Sequence, residues 1–185
     1  GALHTKEKNS KGFLVVHLRM TGQFKLIEKQ IAPCAHTRVR FFEERGKELR
    51  FIDIRNFGQM WYVPPSKSIS EIVSGIKRLG PEPFSDEFNS CYLKEYLKNR
   101  KRSIKSSLLD QKTVAGVGNI YADETLFDAG INPKTESRNL EKDQLNGLCN
   151  SLVEILKISI GEGGTTFSDF RDLEGINGNY GGQAW

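Results

Sequence analysis

The sequence has few cysteines and no long apolar run. Its three cysteines, Cys34, Cys91 and Cys149, are odd in number, lie far apart and form no C-x-x-C pair. Such spacing is typical neither of a disulfide framework nor of a zinc site, so we expect reduced thiols and no metal in this chain. No apolar stretch approaches the roughly 18 residues that a membrane span needs, and no secretory pattern opens the chain. We therefore predict a cytoplasmic protein without a membrane segment.

The charge of the chain is also small in total, at a formal +4, but it is unevenly distributed. Hydrophobic residues make up 37% and charged residues 27% of the 185 positions, which is ordinary globular composition. Between residues 94 and 105 the single acid is Glu95. The same stretch carries six cations, which are Lys94, Lys98, Arg100, Lys101, Arg102 and Lys105. A local basic stripe is typical of phosphate binding, although such runs are more often only a solvated face.

The apolar period changes along the chain from that of strands to that of helices. Short runs bounded by turn residues predict strands at Phe13–Leu18, Phe24–Ile27, Thr37–Phe42, Glu48–Asp53 and Gln59–Val63, with a hairpin turn at 44–47. Helical spacing predicts helices over Ser68–Arg78, from Ser85–Asn89 to about Asn99, from Ser106 onward and over Asn139–Ile160. A Pro/Gly break at Leu79–Pro83 separates the two regions.

We therefore predict an α+β fold with three segments. Residues 1–65 would form part of a β-sandwich, residues 66–83 a helix and hinge, and residues 84–185 a helical domain. The helical domain is organised around Asp110–Gly130, in which Gly116 and Gly118 bracket Val117 and Asn119 caps a helix. The apolar face of that helix is expected at Ile120, Ala122, Leu126, Phe127 and Ala129. Free backbone N–H groups and the macrodipole make such a helix start an anion site, although a lone G-x-G is a weak signal.

Two strand ends carry unusual combinations of side chains. His17–Gly22 reads HLRMTG and Asp53–Gly58 reads DIRNFG. Residues two apart at a strand end leave it on the same side, so Arg55 and Phe57 can reach one target together. A methionine at a strand end is most often a core residue, and the plain interpretation of Arg55 and Phe57 is a rim aromatic beside a solvated cation.

Together these motifs carry a resemblance. The string VAGVGNIYADETLFDAGINP at 114–133 resembles the helix-two-turn-helix signature of the formamidopyrimidine-DNA glycosylase and endonuclease VIII family, closest to its bacterial formamidopyrimidine-DNA glycosylase branch. By that resemblance Met20, Arg55 and Phe57 match three residues that fill the helix when a damaged nucleotide is flipped out. A flipped base costs a few kcal/mol of stacking and pairing, so a filling group is needed.

The resemblance also implies residues that hold the duplex. Lys101, Lys105, Lys112 and Asn119 match phosphate contacts, and His36 matches a histidine that touches the DNA backbone, although its surroundings are looser than the family pattern. Thr165, Thr166 and Tyr180 fall in the stretch where the family places a lesion-sensing loop. A surface loop is an equally good interpretation of any single residue there.

The family's chemistry is expected mostly outside this sequence. Its nucleophile is an N-terminal proline amine followed by a glutamate, whereas this chain opens Gly1-Ala2-Leu3. Its zinc finger, with one structural zinc in most full-length members, would follow Trp185. We therefore interpret the chain as a central fragment with no catalytic residue of its own, and we expect the 185 residues alone to bind DNA without glycosylase activity. An internal lysine could still support weak β-elimination.

The resemblance implies a bifunctional DNA glycosylase and abasic-site lyase of base-excision repair, acting on oxidised purines in duplex DNA. Its partners would be double-stranded DNA containing oxidised bases or abasic sites, and the protein is expected to be a monomer. The alternative is a non-catalytic helix-two-turn-helix module that binds nucleic acid, since such units also occur in a ribosomal protein and a topoisomerase subunit. The combination of Met20, Arg55 and Phe57 favours the glycosylase. A purely structural domain would leave the basic stripe unexplained.

Overall fold

The computed structural model of the protein describes residues 12–28, 31–44, 46–165, 171, 173–174 and 176–182. They form two compact units: the first contains the described residues up to 74 and those from 162 onward, and the second contains Gly75–Gly161. The sequence prediction groups 84–185 together, whereas residues after 161 cluster with the first unit. The functional grouping of the domains stays a prediction.

The first unit contains two antiparallel sheets. In one, β1 (Phe13–His17) pairs with β5 (Gln59–Val63). In the other, β4 (Glu48–Asp53) lies between β2 (Gly22–Ile27) and β3 (Thr37–Phe42). All five predicted strands are present, and β3, β4 and β5 have the predicted limits, because alternating side chains bounded by turn residues define them well.

Aromatic rings pack on one face of the three-stranded sheet. The ring centroid of Phe24 lies 5.3 Å from that of Phe51 and 6.3 Å from that of Phe41, in tilted arrangements typical of aromatic pairs. Phe51 is only 3% exposed. The turn between β3 and β4 closes where the Gly46 N–H donates to the Glu43 carbonyl (3.0 Å) and Gly46 adopts a φ of +86°. That conformation suits glycine because a Cβ would crowd the backbone.

The helix predicted at Ser68–Arg78 is broken into two pieces, so that prediction is wrong in its extent. Helix α1 covers Ile69–Ile72 behind a capping box in which the Ser68 N–H donates to Glu71 Oε2 at 2.7 Å. A 3-10 turn follows at Ser74–Arg78. Val73 leaves the helical region (φ −109°, ψ 82°), and the following Gly75 has a low helix propensity.

The second unit is helical. Its α-helices are α2 (Ser90–Leu97), α3 (Ile104–Leu108), α4 (Asn119–Asp128) and α5 (Lys142–Gly161). Helix α2 starts later than predicted because Asn89 is the N-cap and accepts the Tyr92 N–H at 2.9 Å. Helix α3 starts earlier because Ser103 caps it. Helix α5 starts later, since residues 137–139 form a separate 3-10 turn.

The core of the second unit consists of apolar side chains from all four helices. Leu93, Leu108, Leu126, Leu148 and Leu152 are at most 2% exposed, and burying each stabilises the fold by roughly 1.5–3 kcal/mol. Phe127 corrects the prediction for α4, because it is 88% exposed instead of part of the apolar face. It follows Leu126 directly, about 100° further around the helix, and therefore points away from the buried face. The prediction placed it on that face only because it is apolar.

The α+β prediction is confirmed, with strands in the first unit and helices in the second. Across the described residues, no helix combines the length and apolarity required to cross a bilayer.

Candidate nucleic-acid interface

The first unit brings Met20, Arg55 and Phe57 together on two neighbouring turns. Met20 lies in the turn between β1 and β2, and the other two lie in the segment that follows β4. The Arg55 guanidinium donates to Met20 Sδ at 3.1 Å and lies 5.1 Å from the centroid of the Phe57 ring. Three side chains distant in sequence thus form one contiguous cluster, which we call the insertion cluster.

The insertion cluster faces solvent although two of its members are apolar. Met20 is 73% and Phe57 55% exposed, so Met20 is not the core residue that its type alone suggests. Methionine adapts to irregular gaps, phenylalanine can enter between base steps, and arginine offers a rigid fork of donors. The cluster therefore has the chemistry needed to occupy a space left in a base stack and to hydrogen-bond an unpaired base.

His36 lies beside the same end of the three-stranded sheet. It is exposed, and its carbonyl accepts the N–H of Asp53, the last residue of β4, at 3.0 Å. Arg38 secures this segment further, since its Nε donates to the Asp53 carbonyl at 2.9 Å. The structure thus places His36 next to the turn that carries Arg55 and Phe57.

A partly buried ion-pair network anchors the chain that leads to His36. Glu48 accepts from Arg40 (2.5 Å) and from Arg50 (2.7 Å), and these guanidinium groups hold its pKa at about 2. Arg50 is 4% exposed and also donates to the carbonyls of Ile31 and Ala32. Because one buried guanidinium serves a strand carboxylate and two loop carbonyls, the network fixes the loop before His36 on the sheet.

The basic stripe of the second unit divides into outward and inward cations. Lys101 is exposed. Arg102 points inward, where it donates to Ser107 Oγ (3.0 Å), Asp110 (2.8 Å) and Thr113 Oγ1 (3.3 Å). Burial raises the pKa of Asp110, but hydrogen bonds from the Lys112 N–H and Arg102 bring it below its ordinary value. The sequence pattern cannot separate these two roles, since both need the same residue type.

Lys105 has an internal partner in this structure. Its Nζ lies 2.7 Å from Asp123 on α4, and the Lys105 side chain is 33% exposed. A phosphate that approaches Lys105 therefore competes with the Asp123 carboxylate for the Lys105 ammonium group, or shares that group with it.

The segment before α4 forms a closed loop. The side-chain amide of Gln111 accepts the Gly116 N–H at 2.8 Å and donates to the Val117 carbonyl at 2.9 Å. At the loop's outer edge, Lys112 is exposed, and its N–H donates to Asp110 at 3.1 Å. One amide thus spans the turn in which Gly116 adopts a φ of +79°.

Asn119 is the first residue of α4, and the prediction that it caps the helix is wrong. Gly118 occupies the N-cap in an extended conformation (φ −111°, ψ −177°), and no side chain caps the helix there. The Asn119 side chain is exposed. A helix start is a place where backbone N–H groups and the macrodipole can attract an anion.

The late segment closes on itself in the first unit. Thr165 bridges Asn179, and the Tyr180 N–H donates to the Gly164 carbonyl at 3.1 Å. Tyr180 is 5% exposed, so it lies at the buried base of this segment. Thr166 lies outside the described residues. The Leu26 N–H of β2 donates to the Leu173 carbonyl at 3.0 Å, which attaches the segment to the sheet.

The part of the chain that the structure describes holds no group of three or more His, Cys, Asp or Glu side chains able to bind a metal ion. Cys34 belongs to the first unit, and Cys91 and Cys149 to the second. These residues therefore do not fit the structural zinc that the family resemblance implies for full-length members.

Family models match both regions of the chain. Residues 79–171 match the formamidopyrimidine-DNA glycosylase H2TH domain, and residues 2–60 match the formamidopyrimidine-DNA glycosylase N-terminal domain. The chain belongs to the formamidopyrimidine-DNA glycosylase family. The family resemblance inferred from the sequence is thereby confirmed.

Relatives in this glycosylase family are similar over the whole chain. The formamidopyrimidine-DNA glycosylase of Prochlorococcus marinus (strain NATL2A) is 83% identical over 185 residues, which is all of this chain and 66% of that protein. The one from Parasynechococcus marenigrum (strain WH8102) is 62% identical over 95% of this chain and 63% of its own length. The chain thus spans 60–66% of the length of these curated relatives, which is less than two thirds.

Solved glycosylase structures share the fold. The MutM (Fpg) protein from Thermus thermophilus is 36% identical with a TM-score of 0.84, over 96% of this chain and 64% of that one. A Lactococcus lactis FPG mutant in complex with Fapy-dG-containing DNA is 29% identical with a TM-score of 0.80, over 94% of this chain and 62% of that one.

Three residues have structural roles in the candidate interface that the sequence patterns do not predict: Asp53, Thr21 and Gln111. Asp53 and Thr21 belong to the DIRNFG and HLRMTG motifs. A carboxylate at the end of a buried strand and a hydroxyl after Met20 were available signals, since both types bind turn backbone.

Proposed function

We propose that the protein works in base-excision DNA repair as a glycosylase and abasic-site lyase that removes oxidised purines from duplex DNA. The insertion cluster carries this proposal, because it gathers two exposed apolar side chains around an arginine on two neighbouring turns. The glycosylase names of the relatives support the same activity. The bond-breaking chemistry would belong to the whole protein, and this chain would recognise and hold damaged DNA.

In this proposal the insertion cluster compensates for base flipping. Turning a nucleotide out of the duplex costs a few kcal/mol of stacking and pairing, and less at a site that is already damaged. Met20 and Phe57 would fill the vacated stack, and Arg55 would donate to the base left without a partner. Discrimination then follows from the lower cost of flipping at the lesion.

The phosphate contacts would position the duplex without reading its sequence. They would come from Lys101, Lys105, Lys112 and Asn119 of the second unit and from His36 of the first. Thr165, Thr166 and Tyr180 would belong to the lesion-sensing loop, with Tyr180 as its buried anchor. We further propose that the protein is a monomer and acts in the cytoplasm.

The test separates phosphate binding from damage recognition. We define the damage preference as the Kd for an undamaged duplex divided by the Kd for the same duplex with one abasic site. For Lys101→Ala we expect weaker binding to both duplexes, an unchanged damage preference, and a slope of log K against log salt that is smaller by about 1. Fluorescence anisotropy between about 50 and 200 mM salt gives both quantities.

Lys142→Ala is the matched control, because Lys142 is an exposed lysine at the start of α5 with the same charge. We expect it to leave Kd and salt slope near those of the wild type. Equal affinity of the wild type for the two duplexes would instead indicate the alternative, a non-catalytic nucleic-acid-binding module.

A further inference from the structure

The carboxylate of Asp53 joins the two turns that carry the insertion cluster. Asp53 ends β4 and is 1% exposed. One oxygen accepts the Thr21 hydroxyl at 2.5 Å, and the other accepts the Gly58 N–H at 2.7 Å. Burial raises the pKa of Asp53, but these donors outweigh it and leave the pKa below its ordinary value. The group is therefore a buried carboxylate with a hydrogen bond to each turn.

The hydroxyl of Thr21 makes a second connection between the same turns. While it donates to Asp53, its oxygen accepts the Arg55 N–H at 3.1 Å. Thr21 directly follows Met20 in the chain, so this single hydroxyl fixes the backbone next to Met20 against the backbone of Arg55. A Thr hydroxyl has one donor and two acceptor sites, and the network uses the donor and one acceptor.

The turns themselves have a strained backbone. Arg19, next to Met20, and Asn56, between Arg55 and Phe57, both have a φ of +57°. These are the two non-glycine residues with positive φ among those that the structure describes. Such conformations are unfavourable for most side chains and persist where surrounding contacts hold them in place. Strain at both turns of one cluster indicates that its shape is set in advance.

Both turns also rest on the same aromatic ring. A Cβ on Gly58 would lie 2.5 Å from Phe51 Cζ, and a Cβ on Gly22 would lie 2.9 Å from that atom. Close approach of both glycines to buried Phe51 gives the two turns a common floor. The Asp53–Thr21 network then fixes them above it.

We propose that Thr21 and Asp53 are positioning residues that present Met20, Arg55 and Phe57 as one preformed unit for insertion into damaged DNA. The inference rests on the proposed function, since it concerns how the same cluster works. Without the network the two turns would order only on binding, at a cost in conformational entropy. That cost would fall on the damaged complex alone, because the undamaged duplex offers no gap to fill.

The experiment compares Thr21→Val with Thr21→Ser. Valine has the shape of threonine without the hydroxyl, whereas serine keeps the hydroxyl. The probe is a duplex with 2-aminopurine opposite a single stable abasic analogue. Insertion is read as the rise in 2-aminopurine fluorescence that follows when a side chain enters between base steps and unstacks this base. Thermal unfolding confirms that each variant is folded, and Thr21→Ala replaces Thr21→Val if the latter does not fold.

We expect Thr21→Val to lose most of the fluorescence rise and to lower the damage preference roughly five- to thirtyfold, the factor that two net hydrogen bonds are worth. Its affinity for the undamaged duplex stays unchanged, and Thr21→Ser restores both readouts. Met20→Ala distinguishes the positioning role of Thr21 from insertion itself. If Met20→Ala abolishes the signal while folded Thr21→Val retains it, the positioning role is wrong. If Met20→Ala has no effect, insertion itself is wrong, and the proposed function fails with the inference.

Discussion

Residues of one type play different parts in this protein, depending on which atoms they meet. Arg50 and Arg55 illustrate this, since the first is buried among carbonyls and a carboxylate and the second is exposed beside a thioether and an aromatic ring. A buried guanidinium held by a carboxylate and two carbonyls is a structural group. An exposed one whose neighbours accept hydrogen bonds poorly keeps donors available for a ligand.

The Glu48 carboxylate is expected to influence how the stability of the fold depends on pH. Arg40 and Arg50 hold its pKa at about 2, against an ordinary value of 4.5. Because the folded state lowers this pKa, the ion pairs stabilise the protein above the ordinary value and lose that contribution as pH falls from 4.5 towards 2. Denaturant unfolding of Glu48→Gln is expected to show lower stability at about pH 7 and a flatter pH dependence in that window than the wild type.

Glu28→Gln is the control for this measurement, because Glu28 pairs with Lys47 while its side chain stays 66% exposed. Exposed pairs contribute little, so its pH dependence is expected to follow the wild type. A steep acid transition that persists in Glu48→Gln would show that other groups control it.

At the scale of elements, the strands could be predicted better than the helices. Strands β3, β4 and β5 have the predicted limits because alternation and turn residues define both ends of each. The helices α2, α3 and α5 differ by several residues, because a capping hydrogen bond or a 3-10 turn decides where a helix begins. The Asn89 and Ser103 caps are local signals, but many Asn and Ser residues compete for that position.

The candidate site was predictable in its members but not in its connections. Short motifs pointed to Met20, Arg55 and Phe57, yet nothing in the sequence shows that Arg55 contacts both of the others. The contacts of Asp53 with Thr21 and Gly58 likewise depend on how two strand ends meet. Asn119 shows the opposite case, since its residue type suggests a cap and the chain places Gly118 there instead.

The loop before α4 is expected to contribute to DNA binding through the two hydrogen bonds of Gln111. Gln111→Ala removes both hydrogen bonds that close the loop, so the N–H groups at the start of α4 lose their fixed direction. We expect weaker binding to damaged and undamaged duplexes alike, by roughly five- to thirtyfold for two hydrogen bonds, with the damage preference unchanged. Anisotropy titrations with the two duplexes measure both.

Gln144→Ala supplies the comparison, because the Gln144 amide oxygen accepts the Glu141 N–H at 3.0 Å near the start of α5. It removes an equivalent side chain at another helix and is expected to bind DNA like the wild type. A fall in damage preference for Gln111→Ala, with undamaged binding intact, would contradict the role assigned to the loop.

For the whole molecule, the two units divide the proposed work. The first holds the insertion cluster and His36, and the second holds the phosphate-binding lysines and the start of α4. Family membership makes this division coherent, because the chain matches both the N-terminal and the H2TH family models. Variants of the insertion cluster are expected to change the damage preference, and variants of the phosphate contacts to change affinity for any duplex.

The most direct test of damage recognition by insertion is the damage preference of Phe57→Ala beside that of Phe42→Ala. Both are exposed aromatic residues of the first unit with an arginine over the ring, at 5.1 Å for Phe57 and 4.7 Å for Phe42. Loss of an exposed side chain is expected to change stability by no more than about 0.5 kcal/mol in either variant. We predict that Phe57→Ala lowers the damage preference by roughly tenfold or more, as base-stacking aromatics do, and that Phe42→Ala leaves it unchanged. Equal preferences in the two variants and the wild type would contradict the account.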